Sequence, residues 1–227
     1  MTTSPIRILL VDDQQLIRLG FGLVLGAEDD LEVIGEAASG EEAVRLAAEL
    51  RPDVILMDVR MPGLDGIGAT QRIVAEQPDS RIIILTTFDL DEYAFAALRA
   101  GASGFLLKDA VPAELTSAIR SVHSGDAAVS SRVTKRMLEL FADELPADTD
   151  ATTADADQNS ELDELTPRER DILIAMAEGL SNAEIAAHFV LSESTVKTHV
   201  GRVLMKLQLR DRVQAVIFAY RHGLVRP

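Results

Sequence analysis

The stretch Arg51–Gly66, RPDVILMDVRMPGLDG, decides how this chain folds. Four consecutive apolar residues, Val54-Ile55-Leu56-Met57, show no polar alternation, the pattern of a strand covered on both faces. The run ends on a carboxylate, Asp58, and Met61-Pro62-Gly63 follows at once with turn chemistry. A buried strand that stops on a charge implies a strand tip opening onto something polar.

Working outward from that strand, residues 6–125 alternate short β-branched runs with amphipathic stretches. Strands are expected at Ile6–Val11, Leu31–Ala38, Asp53–Asp58, Arg81–Thr86 and Gly104–Leu107, with helices near 14–26, 40–50, 65–77, 91–101 and 112–124. Ser39-Gly40-Glu41-Glu42 offers a capping box at the start of the second helix. Alternation at this spacing implies right-handed βαβ units and a parallel sheet with helices on both faces. The fold class expected is α/β, a flavodoxin-like (βα)5 doubly wound sheet in the order 2-1-3-4-5. That order sets the first and third strands side by side at the switch point, where open parallel sheets bind ligands beyond their carboxyl ends.

The strand ends are chemically distinctive. The first runs into Asp12-Asp13, the third into Asp58, the fourth ends in Thr86 and the fifth leads to Lys108. Three carboxylates gathered at one place repel unless a cation joins them. A hard divalent cation with oxygen ligands is the simplest relief, and Mg²⁺ on two carboxylates keeps positions open for phosphate oxygens. Such a site suits phosphoryl transfer to Asp58, because that chemistry needs alignment and neutralised charge more than covalent help.

The pieces ILLVDD, PDVILMDVRMPGLDG, IIILTTFD and AGASGFLLKD resemble the receiver domain of two-component response regulators, with its CheY-like fold. The resemblance implies that Asp58 accepts phosphate from a sensor histidine kinase. It implies that Asp13 and Asp58, with the backbone carbonyl of Arg60, bind Mg²⁺, and that Asp12 helps through water. Lys108 would contact the phosphoryl group, Thr86 would swing toward it, and Phe105 would change rotamer with Thr86. The chain would not be an enzyme beyond assisting its own phosphoryl transfer and hydrolysis.

A phosphohydrolase acting on small phosphate esters is the rival in the enzyme class. It would need a cap or substrate pocket, and no insertion after a strand supplies one. It would also need a second aspartate two residues beyond the nucleophile, where this chain has Arg60. A phosphorylation-independent regulator would carry a broken acidic cluster, and this cluster is intact.

The net charge of −15 argues against nucleic acid until it is divided along the chain. Residues 1–142 carry 22 acidic and 13 basic side chains, 143–165 carry 9 acidic and none basic, and 166–227 carry 6 acidic and 9 basic. The C-terminal segment is therefore basic, and screening over ~8 Å lets it act locally. Before it, a helix at 131–141 leads into DELPADTDATTADADQNSELDEL, an acidic, self-repelling linker. The expected domains are 1–125, a linker helix and acidic linker over 126–165, and 166–227.

From Thr166 the pattern is helical. Thr166-Pro167-Arg168-Glu169 and Ser181-Asn182-Ala183-Glu184 are capping boxes, Gly179 suits a helix end, and Ser192 caps a helix to about Leu207. A fourth helix is expected at Arg210–His222. The run LTPRERDILIAMAEGLSNAEIAAHFVLSESTVKTHVGRVLMKL, then RDRVQAVIFAYRHGLV, resembles a LuxR-type helix-turn-helix domain. In that domain Asn182–Phe189 would cross the DNA backbone and Glu193–Leu207 would be the recognition helix. Val196, Val200, Val203, Leu204 and Leu207 recur at three and four and face inward. Thr195, Lys197, Thr198, His199, Arg202 and Lys206 remain for phosphates and base edges. His188 and His222 read as structural or surface groups. Gln208 stands where the family often has glycine, so the recognition helix either ends in a left-handed conformation at a cost of about 1 kcal/mol or ends differently.

Both halves together resemble a response regulator of the NarL/FixJ type: a phosphorylation-controlled transcription factor that binds double-stranded promoter DNA as a homodimer. No apolar run is long enough to span a membrane, the start lacks the apolar core of a signal peptide, and there is no cysteine. These features point to the cytoplasm.

Overall fold

A computed structural model of the chain describes residues 4–77, 79–86, 96–125 and 162–225. The chain divides into two compact units, Met1–Val129 and Ser130–Pro227. The expected helix at 131–141 and the acidic linker as far as 161 lie outside the described residues, as does the first half of the helix expected at 91–101.

The first unit holds five strands: β1 (Ile6–Val11), β2 (Leu31–Ala37), β3 (Val54–Asp58), β4 (Arg81–Thr86) and β5 (Gly104–Leu107). They form one sheet in the order β2-β1-β3-β4-β5, and every pairing is parallel. The expected topology is thus observed. Helices α1 (Gln15–Leu25), α2 (Gly40–Leu50), α3 (Gly66–Glu76) and α4 (Pro112–His123) join the strands, and residues 96–99 are helical as well.

The sheet is covered on both faces, which explains the uninterrupted apolar strands. Ile8, Leu10, Val54, Leu56, Ile83 and Leu85 share one cluster with Leu25 of α1 and Leu115, Ala118, Ile119 and Val122 of α4. The alternate residues Leu9, Ile55, Met57, Ile82 and Ile84 point the other way and are buried too. Ser39 caps α2 by accepting the Glu42 N–H at 3.3 Å, as expected. The reciprocal half of the box differs: Glu42 reaches one residue further back and accepts the Ala38 N–H at 3.0 Å.

In the second unit, α5 (Pro167–Ala177), α6 (Asn182–Phe189), α7 (Glu193–Lys206) and α8 (Arg212–Arg221) enclose one core. Complete capping boxes start α5 and α6, Ser192 caps α7 and Asp211 caps α8. Gly179, at φ +85°, closes α5 as expected. Val196 and Val203 are fully buried and Val200 nearly so, with Leu204 and Leu207 packed at the margin.

Two residues without the freedom of glycine adopt left-handed backbone at the edges of α6 and α7. Gln208, at φ +52°, follows α7 in the left-handed conformation, the costlier of the two endings open to it. Val190, at φ +55°, ends α6 and is 91% exposed. A β-branched residue is costly in that region and here gains no burial in return. Val190→Asn should therefore raise the unfolding free energy of this unit by about 1 kcal/mol. Urea denaturation checks this, and a variant less stable than the parent would contradict the strain argument.

Candidate functional site

The carboxyl ends of β1, β3 and β5 bring together the side chains expected there. Asp12 and Asp58 are almost fully buried, while Asp13 is exposed. One carboxylate oxygen from each of the three lies within 4.8 Å of the others. Lys108, just beyond β5, places its Nζ 2.7 Å from Asp12 Oδ2 and 3.0 Å from Asp58 Oδ2. The lysine is steered there by its backbone, whose N–H donates to the Thr86 carbonyl at 2.7 Å.

Backbone contacts hold the acids in place. Asp12 Oδ1 accepts the Gln14 N–H at 2.9 Å, and Arg18 donates to the Asp12 carbonyl at 2.7 Å. Asp58 Oδ1 faces the Arg60 N–H at 3.4 Å. Gly66 is required by crowding: a Cβ there would stand 1.9 Å from the Asp58 carbonyl oxygen. Gly40 is tight in the same way, with a Cβ 2.2 Å from the Leu64 carbonyl oxygen. The turn after β3 is thus pressed against both its own strand and the start of α2. Glu41 ties it further, accepting the Leu64 N–H at 2.9 Å.

The electrostatics follow from burial. Desolvation pushes the Asp58 carboxyl above its ordinary value despite Lys108, and Asp12 adds to the rise. Burial works against the Lys108 ammonium, yet its hydrogen bonds to Asp12 and Asp58 carry its pKa above that of an ordinary lysine. Three carboxylates against one ammonium leave the cluster with an excess of negative charge. Its donors are all oxygen, and such a group could hold a hard metal ion.

Thr86 is buried at the end of β4 and Phe105 is 3% exposed on β5. Ile83 and Leu85 face the α1–α4 side of the sheet, and Leu106 packs against that same cluster. Strand alternation therefore sends Thr86 and Phe105 to the opposite face, on neighbouring strands.

In the second unit, Lys197, Thr198 and Arg202 are exposed on α7, whereas Thr195, His199 and Lys206 are half-buried. Thr198 donates its hydroxyl to the Ser194 carbonyl at 2.9 Å, and His199 buries an Nδ1 with no hydrogen-bond partner. Lys206 is engaged elsewhere: its Nζ lies 2.6 Å from Glu169 Oε2 and 3.0 Å from the Glu164 carbonyl. It pins the end of α7 to the start of α5, a pairing that helical periodicity alone does not reveal because its partner lies 37 residues away.

Residues 8–120 match the family described as the response regulator receiver domain, and residues 163–219 match that of bacterial regulatory proteins of the luxR family. The chain is a two-component response regulator with a LuxR-type DNA-binding domain. Among relatives of this regulator, the uncharacterized transcriptional regulatory protein YxjL of Bacillus subtilis is 45% identical over 99% of this chain and 100% of its own. Transcriptional regulatory protein LiaR of the same organism is 42% identical over 97% of this chain and 99% of its own. A solved LuxR-family response regulator from Aurantimonas sp. SI85-9A1 is 38% identical, with a TM-score of 0.56 over 60% of this chain and 97% of that one. The regulator's family accounts for both halves: an acidic cluster on a parallel sheet and a basic, helical DNA-binding domain.

The Glu169–Lys206 pair gives the second unit a defined acid sensitivity. The Lys206 hydrogen bond, with help from the Thr166 N–H, lowers Glu169 from 4.5 to about 2. A carboxylate with a depressed folded pKa contributes stability that is complete above 4.5 and fades as pH falls toward 2. Glu169→Gln should destabilise this unit at neutral pH and flatten its stability between those limits, as read by denaturation at several pH values. An unaltered pH profile would show that the pair contributes nothing.

Proposed function

We propose that Asp58 is the residue through which this transcription regulator is switched, by accepting a phosphoryl group from a sensor histidine kinase. What supports this reading is the Lys108 ammonium bridging Asp12 and Asp58 at the tips of three separate strands. Asp58 is the acid on the central strand β3, with one oxygen toward the ammonium and the other toward the Arg60 N–H. Asp12, Asp13 and Asp58, with the Arg60 carbonyl, would hold Mg²⁺, whose bound charge offsets the carboxylates and the incoming phosphate. Lys108 neutralises an equatorial phosphoryl oxygen, and Thr86 offers its hydroxyl to another. A side chain drawn toward the phosphate at Thr86 leaves room on its own face of the sheet, where Phe105 lies. The same residues assist transfer and later hydrolysis of the regulator's own phosphate.

The readout is DNA. The two halves take the domain roles of 1–125 and 166–227, joined over 126–165, and the phosphorylated regulator binds promoter half-sites as a homodimer in the cytoplasm. No described helix is long and apolar enough to cross a membrane. On α7 the contacts fall to Lys197, Thr198 and Arg202, which are exposed, with Thr195 and His199 beside them. Lys206 takes part chiefly by holding the helix through Glu169.

Two experiments test these assignments. With acetyl phosphate and Mg²⁺, the regulator should become labelled and Asp58→Asn should not; labelling of that variant at the parent rate would refute the acceptor. Lys197→Ala should weaken promoter binding and lower the slope of log K against log salt by roughly one unit if it meets a phosphate. Superimposable binding curves across salt concentrations would remove Lys197 from the interface.

A further inference from the structure

Asp12 and Asp13 both reach the acidic cluster from the short turn between β1 and α1. The Asp12 N–H still pairs with the Ala37 carbonyl of β2, at 3.1 Å. Beyond it the turn has little to hold it. Gln14 starts α1 without a side-chain cap. The Gln14 N–H is taken by Asp12 Oδ1, an oxygen of the cluster itself. Any movement of that carboxylate toward a ligand therefore pulls on the turn that carries Asp13.

Arg18, one turn into α1, supplies a separate anchor. Its side chain is only 14% exposed. Nη1 donates to the Asp12 carbonyl at 2.7 Å, and Nε donates to Glu36 Oε2 at 3.0 Å. The Asp12 carbonyl lies in the rigid peptide plane that joins the two acids. Holding it fixes the direction in which Asp13 leaves the chain. Arginine suits the task because its planar fork presents two donors at a set angle, where a lysine presents a single point.

Strand β2 is distorted in a way that serves this contact. Its register against β1 slips by one residue: Ile8 pairs with Val33, but Leu9 pairs with Gly35 and Leu10 with Glu36. Ile8, Leu10 and Val33 pack on the α1 side of the sheet. Strict alternation from Val33 would send Glu36 to the opposite side. The extra residue turns it back, in line with Leu10, to where Arg18 waits. Gly35 takes up the irregularity at a place where a Cβ would stand 2.7 Å from Leu50 Cδ1. Glu36 is half exposed, so the ion pair adds little stability by itself. Its effect is to aim the guanidinium.

We propose that Arg18 is a positioning residue for the divalent-cation site: aimed by Glu36, it locks the peptide between Asp12 and Asp13 so that both carboxylates are presented together with Asp58. The assignment rests on the Mg²⁺ reading of the cluster above. It adds to that reading a residue that touches neither the cation nor the phosphoryl group.

Isothermal titration calorimetry of the full-length chain with Mg²⁺, in the absence of any phosphodonor, tests it. Acetyl phosphate labelling across a range of Mg²⁺ concentrations and the melting temperature without Mg²⁺ accompany it. Arg18→Met keeps the apolar stem and removes both donors; Arg18→Lys keeps the charge but cannot span both acceptors. Arg18→Met should raise the Mg²⁺ dissociation constant about tenfold, with Arg18→Lys between it and the parent. The Mg²⁺ needed for half-maximal labelling should rise in step, while the rate at saturating Mg²⁺ stays close to the parent's. The sign is diagnostic, because losing a positive charge would on Coulombic grounds alone tighten cation binding. Mg²⁺ affinity equal to or above the parent's overturns the proposal, and a lowered melting temperature beside it marks Arg18 as purely structural. Should Arg18→Met fail to fold, Arg18→Lys decides by the same criterion. A parent that binds no Mg²⁺ contradicts the reading of the cluster as a cation site, and this assignment with it.

Discussion

The structure turns on one arrangement: the Lys108 ammonium inserted between Asp12 and Asp58, all three largely out of water. Burying charge is costly unless each group finds a partner, and here the acids share a single cation while a third carboxylate stands at the rim. Burial lifts the Asp58 pKa even in the presence of the lysine, while the hydrogen bonds to both acids raise that of Lys108. The cluster is a site held with excess negative charge, and its oxygen donors suit a hard divalent cation. A buried pair built for stability alone would have no use for Asp13.

Everything around the pocket serves its geometry. Parallel pairing of β1 with β3, and of β3 with β4, sets Asp12, Asp58 and Thr86 at neighbouring strand tips. The Thr86 carbonyl fixes the backbone that launches Lys108. Glycines at 40 and 66 let the turn after β3 lie flat against α2 and against Asp58 itself. The same physical theme recurs in the second unit, where Glu169 and Lys206 fix the far end of α7 and leave the side chains of its middle, Lys197 and Arg202, exposed.

Much of this was legible in the residues. Val54–Met57 read as a strand buried on both faces because nothing polar interrupts it, and parallel pairing followed from strand–helix alternation, while the order 2-1-3-4-5 was implied by the flavodoxin-like pattern and the receiver resemblance. The capping residues Thr166, Ser181 and Ser192 announced their helices, since a side-chain oxygen three residues before a paired N–H is a local signal. The acidic cluster was visible as carboxylates at strand ends. What sequence did not reveal was tertiary. Lys206 looks like one more exposed cation on an amphipathic helix until α5 is folded against it. Glu42 reaches Ala38 rather than Ser39 because the approach to α2 is set by packing, not by spacing. Val190 carries no mark of its left-handed backbone, since a β-branched residue is the last choice there.

The central claim is that Asp58 captures phosphorus, and trapping the bond tests it most directly. The protein is reacted with acetyl phosphate and Mg²⁺, reduced with borohydride and digested, and the peptides are sequenced by mass spectrometry. An aspartyl phosphate is converted by this treatment to homoserine. The account predicts that residue 58 alone is converted, and only when both the donor and Mg²⁺ are supplied. Conversion at Asp12 or Asp13 instead, or none anywhere in a folded sample, would contradict it.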